Sequence, residues 1–362
     1  EYTRPKQLTT PPRFIEHNLW LAIEEAVALW ASGADPVPLT FWPQGPPESG
    51  GICLYQGRIK QMAEKLDEIP VGAVISALPR PNQAFWTLSA LWAGWLWGTE
   101  SAAPFKPVLR RRRYDWAWHT TALQSAFENL EDLLDPETPY LGLIGETEPG
   151  FLSAALLAGQ AGGFELGGLA LRSETGQSQI HWAASPGAGE PGSQTGESLE
   201  VVKIRNLARE AGKDHLLERG EPADYILLHA AALDRLVHAE EISLDTDLSP
   251  AETYTQVTQA FQDAFSYRGG FLRFGGSEHS LEVGRWWLRD DEQAEPPLSD
   301  RVEMEAVRFL IRHPGSTLGE VDAALCERFP GLLTPDPGLL LVCLQSYGEQ
   351  DPPESGRWRM RA

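Results

Sequence analysis

Sulfur is scarce in this chain. Cys53, Cys326 and Cys343 are the three cysteines among 362 residues, too few and too scattered for a disulfide framework or zinc-ligand spacing. A reducing, cytoplasmic setting is the expectation that follows. Long apolar runs are also missing. The most apolar stretch, Phe85 to Trp97, falls short of the ~20 residues of a membrane span and contains Thr87, Ser89 and Gly94. No leader opens the sequence, so no membrane partner is expected. Cations are outnumbered: 30 Lys and Arg face 51 Asp and Glu, for a formal net charge of −21. That balance argues against indiscriminate nucleic-acid binding, which rests on neutralising phosphates. There is no HExxH, Walker loop or GxSxG, so hydrolase and phosphotransferase readings lack a basis. His215, His229, His238 and His279 lack ligand-pair spacing, and no metal is expected.

What is present is length and apolar content, 42% hydrophobic, sufficient for two or three domains. Residues 1–50 combine a helical pattern, FIEHNLWLAIEEAVALWAS, with a Pro-rich tail that packs on the next domain. Residues 51–184 alternate strands and helices and close on the hairpin FELGGLALRS and SQIHWAAS, the pattern of a parallel sheet with an antiparallel edge. SPGAGEPGSQTGES, 185–198, has no apolar period and reads as a linker. Beyond it, three helices and a β-hairpin occur twice, at 199–290 and, truncated, at 299–362. That layout predicts two winged-helix modules of α+β type. With no Met at Glu1 and an end at Arg361-Ala362 inside a strand-like run, the chain reads as a segment of a longer protein.

Two groups of residues carry candidate chemistry. VGAVISALPRPNQAFWTLSALWAGWLWG begins as a core strand, breaks on Pro79 and Pro81, and continues as an apolar stretch expected to be a buried helix. The carboxyl end of such a strand is where open α/β sheets bind ligands. Arg110, Arg111, Arg112 and Arg113, followed by Tyr114, Trp116 and Trp118, form the concentrated basic and aromatic patch. Arginines fork to phosphates and aromatics stack on bases; the alternative is a helix start whose arginines pair with nearby carboxylates. Asp115 and His119 lie one helical turn apart, as a hydrogen-bonded pair or as a helix cap. Arg273 and Arg285 in the first hairpin are further candidates for nucleic-acid contact, with Arg268, Arg289, Arg357, Arg359 and Arg361. The third helices oppose that use, because SPAETYTQVTQAFQDAF has no cation and DPGLLLVCLQSYG is almost wholly apolar.

The order of elements from Gly51 to Ser185 resembles the second half of the class I S-adenosylmethionine-dependent methyltransferase fold, a partial Rossmann-like sheet. The runs AVISALPRPNQAFWTLSALWAGWLWG, LRRRRYDWAWHTTAL, LIGETEPGFLSAALLAGQAGGFELGGLALR, ERGEPADYILLHAAAL and RGGFLRFGGSEHSLEVGRWWLR are similar to bacterial DNA methylase-like proteins related to adenine-specific amino-methyltransferases. The resemblance implies Asp/Asn/Ser-Pro-Pro-aromatic after the fourth strand, where the polar group and a carbonyl accept the target amine and the aromatic stacks a flipped base. Here that position reads Ala77-Leu78-Pro79-Arg80, without the acceptor, one proline or the aromatic. Asn82 could restore a side-chain amide, and Phe85 or Trp86 could stack a base or fill a helix core. The Gly-rich turn that cradles S-adenosylmethionine is not found between Glu1 and Gly51. The expectation is a degenerate, non-catalytic region of a DNA methylase-like protein, positioning DNA or an active upstream methyltransferase domain or partner subunit. One alternative is an active adenine or cytosine amino-methyltransferase whose S-adenosylmethionine-binding half lies elsewhere. The other is a protein-interaction scaffold without a nucleic-acid role.

Overall fold

A computed structural model describes residues 20, 24, 25, 27, 28, 37–66, 70–80, 83–109, 115–131, 133–136, 138–185, 201–239, 248–266, 270–277, 280–291 and 293–361. The fold is mixed α/β, with four small sheets and eleven α-helices among those residues. It divides into two units, Glu1–Arg58 and Ile59–Ala362.

In the first unit, β1 (Leu39–Phe41) pairs in parallel with β2 (Ile52–Leu54). Leu39, Phe41, Ile52 and Leu54 are exposed, and the two-residue period puts them on one face. β1 lies inside the stretch expected as a Pro-rich tail; three residues are too few to show a period. Of the expected N-terminal helix, Trp20, Glu24, Glu25, Val27 and Ala28 are helical, and the rest lies outside the described residues.

The second unit begins with α1 (Ile59–Leu66), β3 (Val74–Ala77), α2 (Gln83–Trp97), a 3-10 segment Thr99–Phe105 and α3 (Lys106–Leu109). It continues through α4 (Trp116–Glu131), β4 (Pro139–Ile144), α5 (Pro149–Ala161), β5 (Phe164–Arg172) and β6 (Gln177–Ala184). The sheet order is β3-β4-β6-β5, with β3 and β4 parallel and β6 antiparallel to both neighbours. One face is sealed by α4 and α5. Phe151 to Gly159 is buried throughout on α5, and Phe127, Tyr140, Phe164 and Trp182 form an aromatic knot with centroids 5.1–5.5 Å apart. Trp182 fits because Gly142 and Gly159 carry no side chain. A Cβ at Gly159 would lie 2.8 Å from the indole nitrogen, and one at Gly142 would overlap the ring.

The expectation of a buried helix at α2 is corrected. Ala90 and Ala93 are buried, but Leu88, Leu91, Trp92, Trp95, Leu96 and Trp97 are exposed. An uncharged helix reads as core, yet α2 rests mainly on the turns that follow it, not on the sheet.

The next block runs α6 (Val201–Arg219), β7 (Ala223–Asp224), α7 (Tyr225–Val237), α8 (Pro250–Ser266), β8 (Phe271–Phe274) and β9 (Arg285–Leu288), with sheet order β7-β9-β8. The last runs α9 (Leu298–Arg312), β10 (Ser316–Thr317), α10 (Leu318–Arg328), α11 (Pro337–Tyr347), β11 (Gly348–Gln350) and β12 (Arg357–Met360), with order β10-β12-β11. The two blocks therefore share element order and strand order. Their first strands, two residues each, had no sequence signal. In the last block, expected as a cut strand, β12 pairs with both β11 and β10.

A single apolar core runs from the sheet into the first block, while the last block has its own. Leu332 of the last block packs against the first core, and polar contacts reinforce the joints. Arg172 on β5 grips Asp322 on α10 at 2.7 and 2.9 Å, and Ser299 Oγ donates to Glu221 at 2.6 Å.

Candidate functional site at the strand ends

β3 and β4 end side by side. The Leu78 N–H donates to the Leu143 carbonyl at 3.0 Å, extending the parallel ladder one residue, and Leu78 is buried. The chain then leaves the sheet through exposed Pro79 and half-buried Arg80. Opposite, Gly145–Glu148 connects β4 to α5. This loop is held by Thr147, whose N–H donates to the Gly176 carbonyl at 2.7 Å and whose hydroxyl lies 2.8 Å from that of Ser178.

Arg80 bridges these two exits. Its guanidinium pairs with Glu146 and, at 3.2 Å, with Glu148. More acid stands nearby. Burial, reinforced by the charges of Asp115 and Glu148, pushes the Tyr254 hydroxyl up to about 12. Burial and Glu148 likewise raise Glu282, in the loop between β8 and β9. Glu148 thus faces Arg80, Tyr254 and Glu282, and Asp115 faces Tyr254.

His119 lies behind this surface. Trp116 stacks on Phe151, centroids 5.2 Å apart and planes at 17°, with His119 edge-on to both. Burial lowers His119 to about 4, with the Pro79 carbonyl acting weakly in the opposite direction. Asp115 does not reach this ring; its carboxylate accepts from the Ala117 N–H at 3.1 Å and caps α4. Of the two readings of that pair, the cap is the one formed.

The other sequence candidates do not converge here. Ala77 ends β3, exposed and without a polar group. Trp86 is half-buried against Phe105, centroids 5.9 Å apart, and Trp116 is core packing. Asn82, the Phe85 side chain, Arg110, Arg111, Arg112, Arg113, Tyr114, Arg268 and His279 lie outside the described residues.

Five arginines of the two hairpins are committed, and Arg289, just past the end of β9, is exposed. Arg273 donates to the carbonyls of Ser277 and Val283 at 2.9 and 2.8 Å and to that of Ser280, and lies 5.0 Å from the Trp286 ring. It closes its own hairpin instead of facing outward. Arg285 pairs with Asp224 at 3.2 Å. Arg357 donates to the Gly315 carbonyl, Arg359 pairs with Glu349 and Asp351, and Arg361 donates to the carbonyls of Gln345 and Ser346.

Sequence reading missed the Glu146 and Glu148 partners of Arg80. Their signal was positional: LIGETEPG follows the strand parallel to β3, so both loops had to leave the same sheet end. It also missed a buried contact between α5 and α7, where Ser153 Oγ lies 2.8 Å from His229 Nε2. A cavity of about 800 Å³ lies elsewhere, between the two repeated blocks, lined by His215, Arg301, Met304, Arg328 and Leu333 among others. Its rim charges include the pairs Arg235–Asp214 and Arg308–Glu305, at 2.8 and 2.6 Å. No metal-binding group of three His, Cys, Asp or Glu occurs among the described residues.

Comparison with protein-family models, curated proteins and solved structures finds no match to this chain. No described helix is long and apolar enough to cross a membrane.

Proposed function

We propose that this chain is a non-catalytic, methyltransferase-like and winged-helix scaffold of a DNA methylase-like protein, which positions a protein partner and not a base. The carrying observation is Arg80 tied to Glu146 and Glu148. On this reading, the strand end that would present an amine acceptor and a stacking ring is closed by an ion pair. The sheet order β3-β4-β6-β5, with its parallel pair and antiparallel hairpin, supports the methyltransferase-like reading. Both repeated blocks have the helix, strand, helix, helix, hairpin order of a winged helix.

The residues at the strand ends do not suit S-adenosylmethionine. The turn from β4 into α5 carries one glycine and two glutamates, both facing Arg80, where a cofactor carboxylate would need free N–H groups and cations. No step through that cofactor is assigned to this chain.

Protein is favoured over DNA as the object held. α8, the third helix of the first winged-helix-like block, packs on α4 and α5 as well as α6, and its exposed face, with Glu252, Thr255, Gln259 and Asp263, has no cation to anchor on phosphate. α11 is uncharged and exposes Leu341, Val342 and Tyr347. Arg273, Arg285, Arg357, Arg359 and Arg361 are engaged by carbonyls and carboxylates of their own blocks. A phosphate would have to displace them, in an acidic field.

Fluorescence anisotropy with a labelled 25-mer, duplex and single-stranded, tests the choice. The scaffold reading expects no saturable binding at 150 mM salt. Binding that is lost when Arg110 to Arg113 are changed to alanine would overturn it in favour of DNA positioning.

A further inference from the structure

α2 is fifteen residues without a charge, QAFWTLSALWAGWLW. Its exposed side chains are large: Trp95 and Trp97 are each 74% exposed and Leu96 62%. Among the described side chains, neither hydrophobic core contains an α2 residue. With Leu88, Leu91 and Trp92 added, and a full aromatic side chain taken as up to ~250 Å², the face shared by Leu88, Leu91, Trp92, Trp95 and Leu96 presents roughly 600 Å² of apolar surface, and Trp97 projects from the other side of the helix end. That lies at the top of the ~300–600 Å² range for the largest patch on a typical monomer and, with the apolar residues of the sheet beside it in sequence, is of the order of the ~800 Å² per partner of a stable interface.

Among the described residues of the second unit, the strand before α2 has no partner on its outer edge. The even residues of β3 bond to β4, as Leu78 does to Leu143. By the alternation of a parallel ladder, the N–H and C=O of Ile75 and Ala77 point to the free edge. Ile75, 70% exposed, shares the bare sheet face with Leu141 and Leu143, and that face turns polar at Gln179 and His181 on β6. The opposite edge is covered, since Gly331–Leu333 lies along β5. Apolar exposure is therefore concentrated at the β3 end, and an open edge is a template for strand pairing.

We propose that α2 and the free edge of β3 form a two-fold interface between two copies of this chain. Two copies at net charge −21 repel, and an uncharged patch is where they can meet without opposing like charges. A two-fold contact needs a surface complementary to itself. An apolar helix without charge, following in sequence a strand whose edge can pair antiparallel with its own copy, meets that need. A differently charged partner would call for charged residues in the patch, and α2 has none.

Sedimentation equilibrium on the full chain from 1 to 100 µM, at 0.15 and 1 M NaCl, tests this. The expected result is a dimer of the 40.0 kDa chain, kept at high salt because the contact is apolar. Trp95→Glu with Trp97→Glu should weaken it at least 100-fold with an unchanged circular dichroism spectrum, while Trp95→Phe should keep it. A monomer at 100 µM, indefinite association without a dimer plateau, or a dimer that survives the double glutamate change would overturn the proposal. The experiment involves no cofactor or DNA, so its failure leaves the strand-end reading standing.

Discussion

Arg80 and the buried histidines carry the residue-scale consequences. Arg80, Glu146 and Glu148 keep 32%, 69% and 37% of their side-chain surface exposed, so the bridge acts by occupancy and adds little stability, about 1 kcal/mol or less. Arg80→Ala should change the urea midpoint only slightly. The histidines matter more. Burial lowers His119 to about 4, His215 to about 3, with Arg219 adding, and His229 to about 4. Each folded-state value lies below the ordinary 6.5, so the unfolded chain binds more protons as pH falls from 6.5 toward 4. Stability is complete above that window and is lost within it, by on the order of 2 kcal/mol per ring. Burial raises Asp234, Glu282 and Asp336, which offsets part of the loss. Urea midpoints at pH 7 and pH 5 check the sign. His215→Leu should flatten the dependence, because the His215 Nε2 is buried without a partner. Ser153→Ala leaves His229 without its hydroxyl and should cost about 1–3 kcal/mol; an unchanged midpoint would contradict that role.

Among elements, legibility followed length and periodicity. The long helices and the β5-β6 hairpin stand where their apolar patterns put them, because burial of one face imposes a period on ten or more residues. β1, β7, β10 and β11 have two or three residues each and had no signal of their own, because so short a run shows no period. α2 had legible bounds and a misread environment. An uncharged sequence suits a core helix or a docking helix equally, and what packs on it is not written in its own letters. The same limit held for Arg273: a hairpin arginine reads identically whether it faces phosphate or closes its own turn. The joint between the repeated blocks gives an element-scale prediction. Gly220 ends α6 at φ 72°, and a Cβ there would collide with the Glu295 and Pro296 carbonyls. Gly220→Ala combines strain with a clash against backbone. It should destabilise by about 1–3 kcal/mol, with faster amide exchange at the start of α9.

For the whole molecule, charge and topology point the same way. The excess of acid extends to the strand ends, where Glu146 and Glu148 pair with Arg80, and Arg273, Arg285, Arg357, Arg359 and Arg361 are matched within their own blocks. The sheet is covered at β5 by the last block, and among the described residues of the unit β3 has no neighbour on its outer edge, which is where the proposed two-fold contact falls. The candidate site was half legible: the degenerate Ala77-Leu78-Pro79-Arg80 stretch marked the place, but what occupies it depends on a loop more than sixty residues away in sequence. The most direct measurement is calorimetric titration of the folded chain with S-adenosylmethionine up to 1 mM, alongside Arg80→Ala. A strand end closed by Arg80, Glu146 and Glu148 predicts no saturable heat from either protein. One-to-one binding by the unaltered chain would contradict the account and return the strand end to cofactor chemistry.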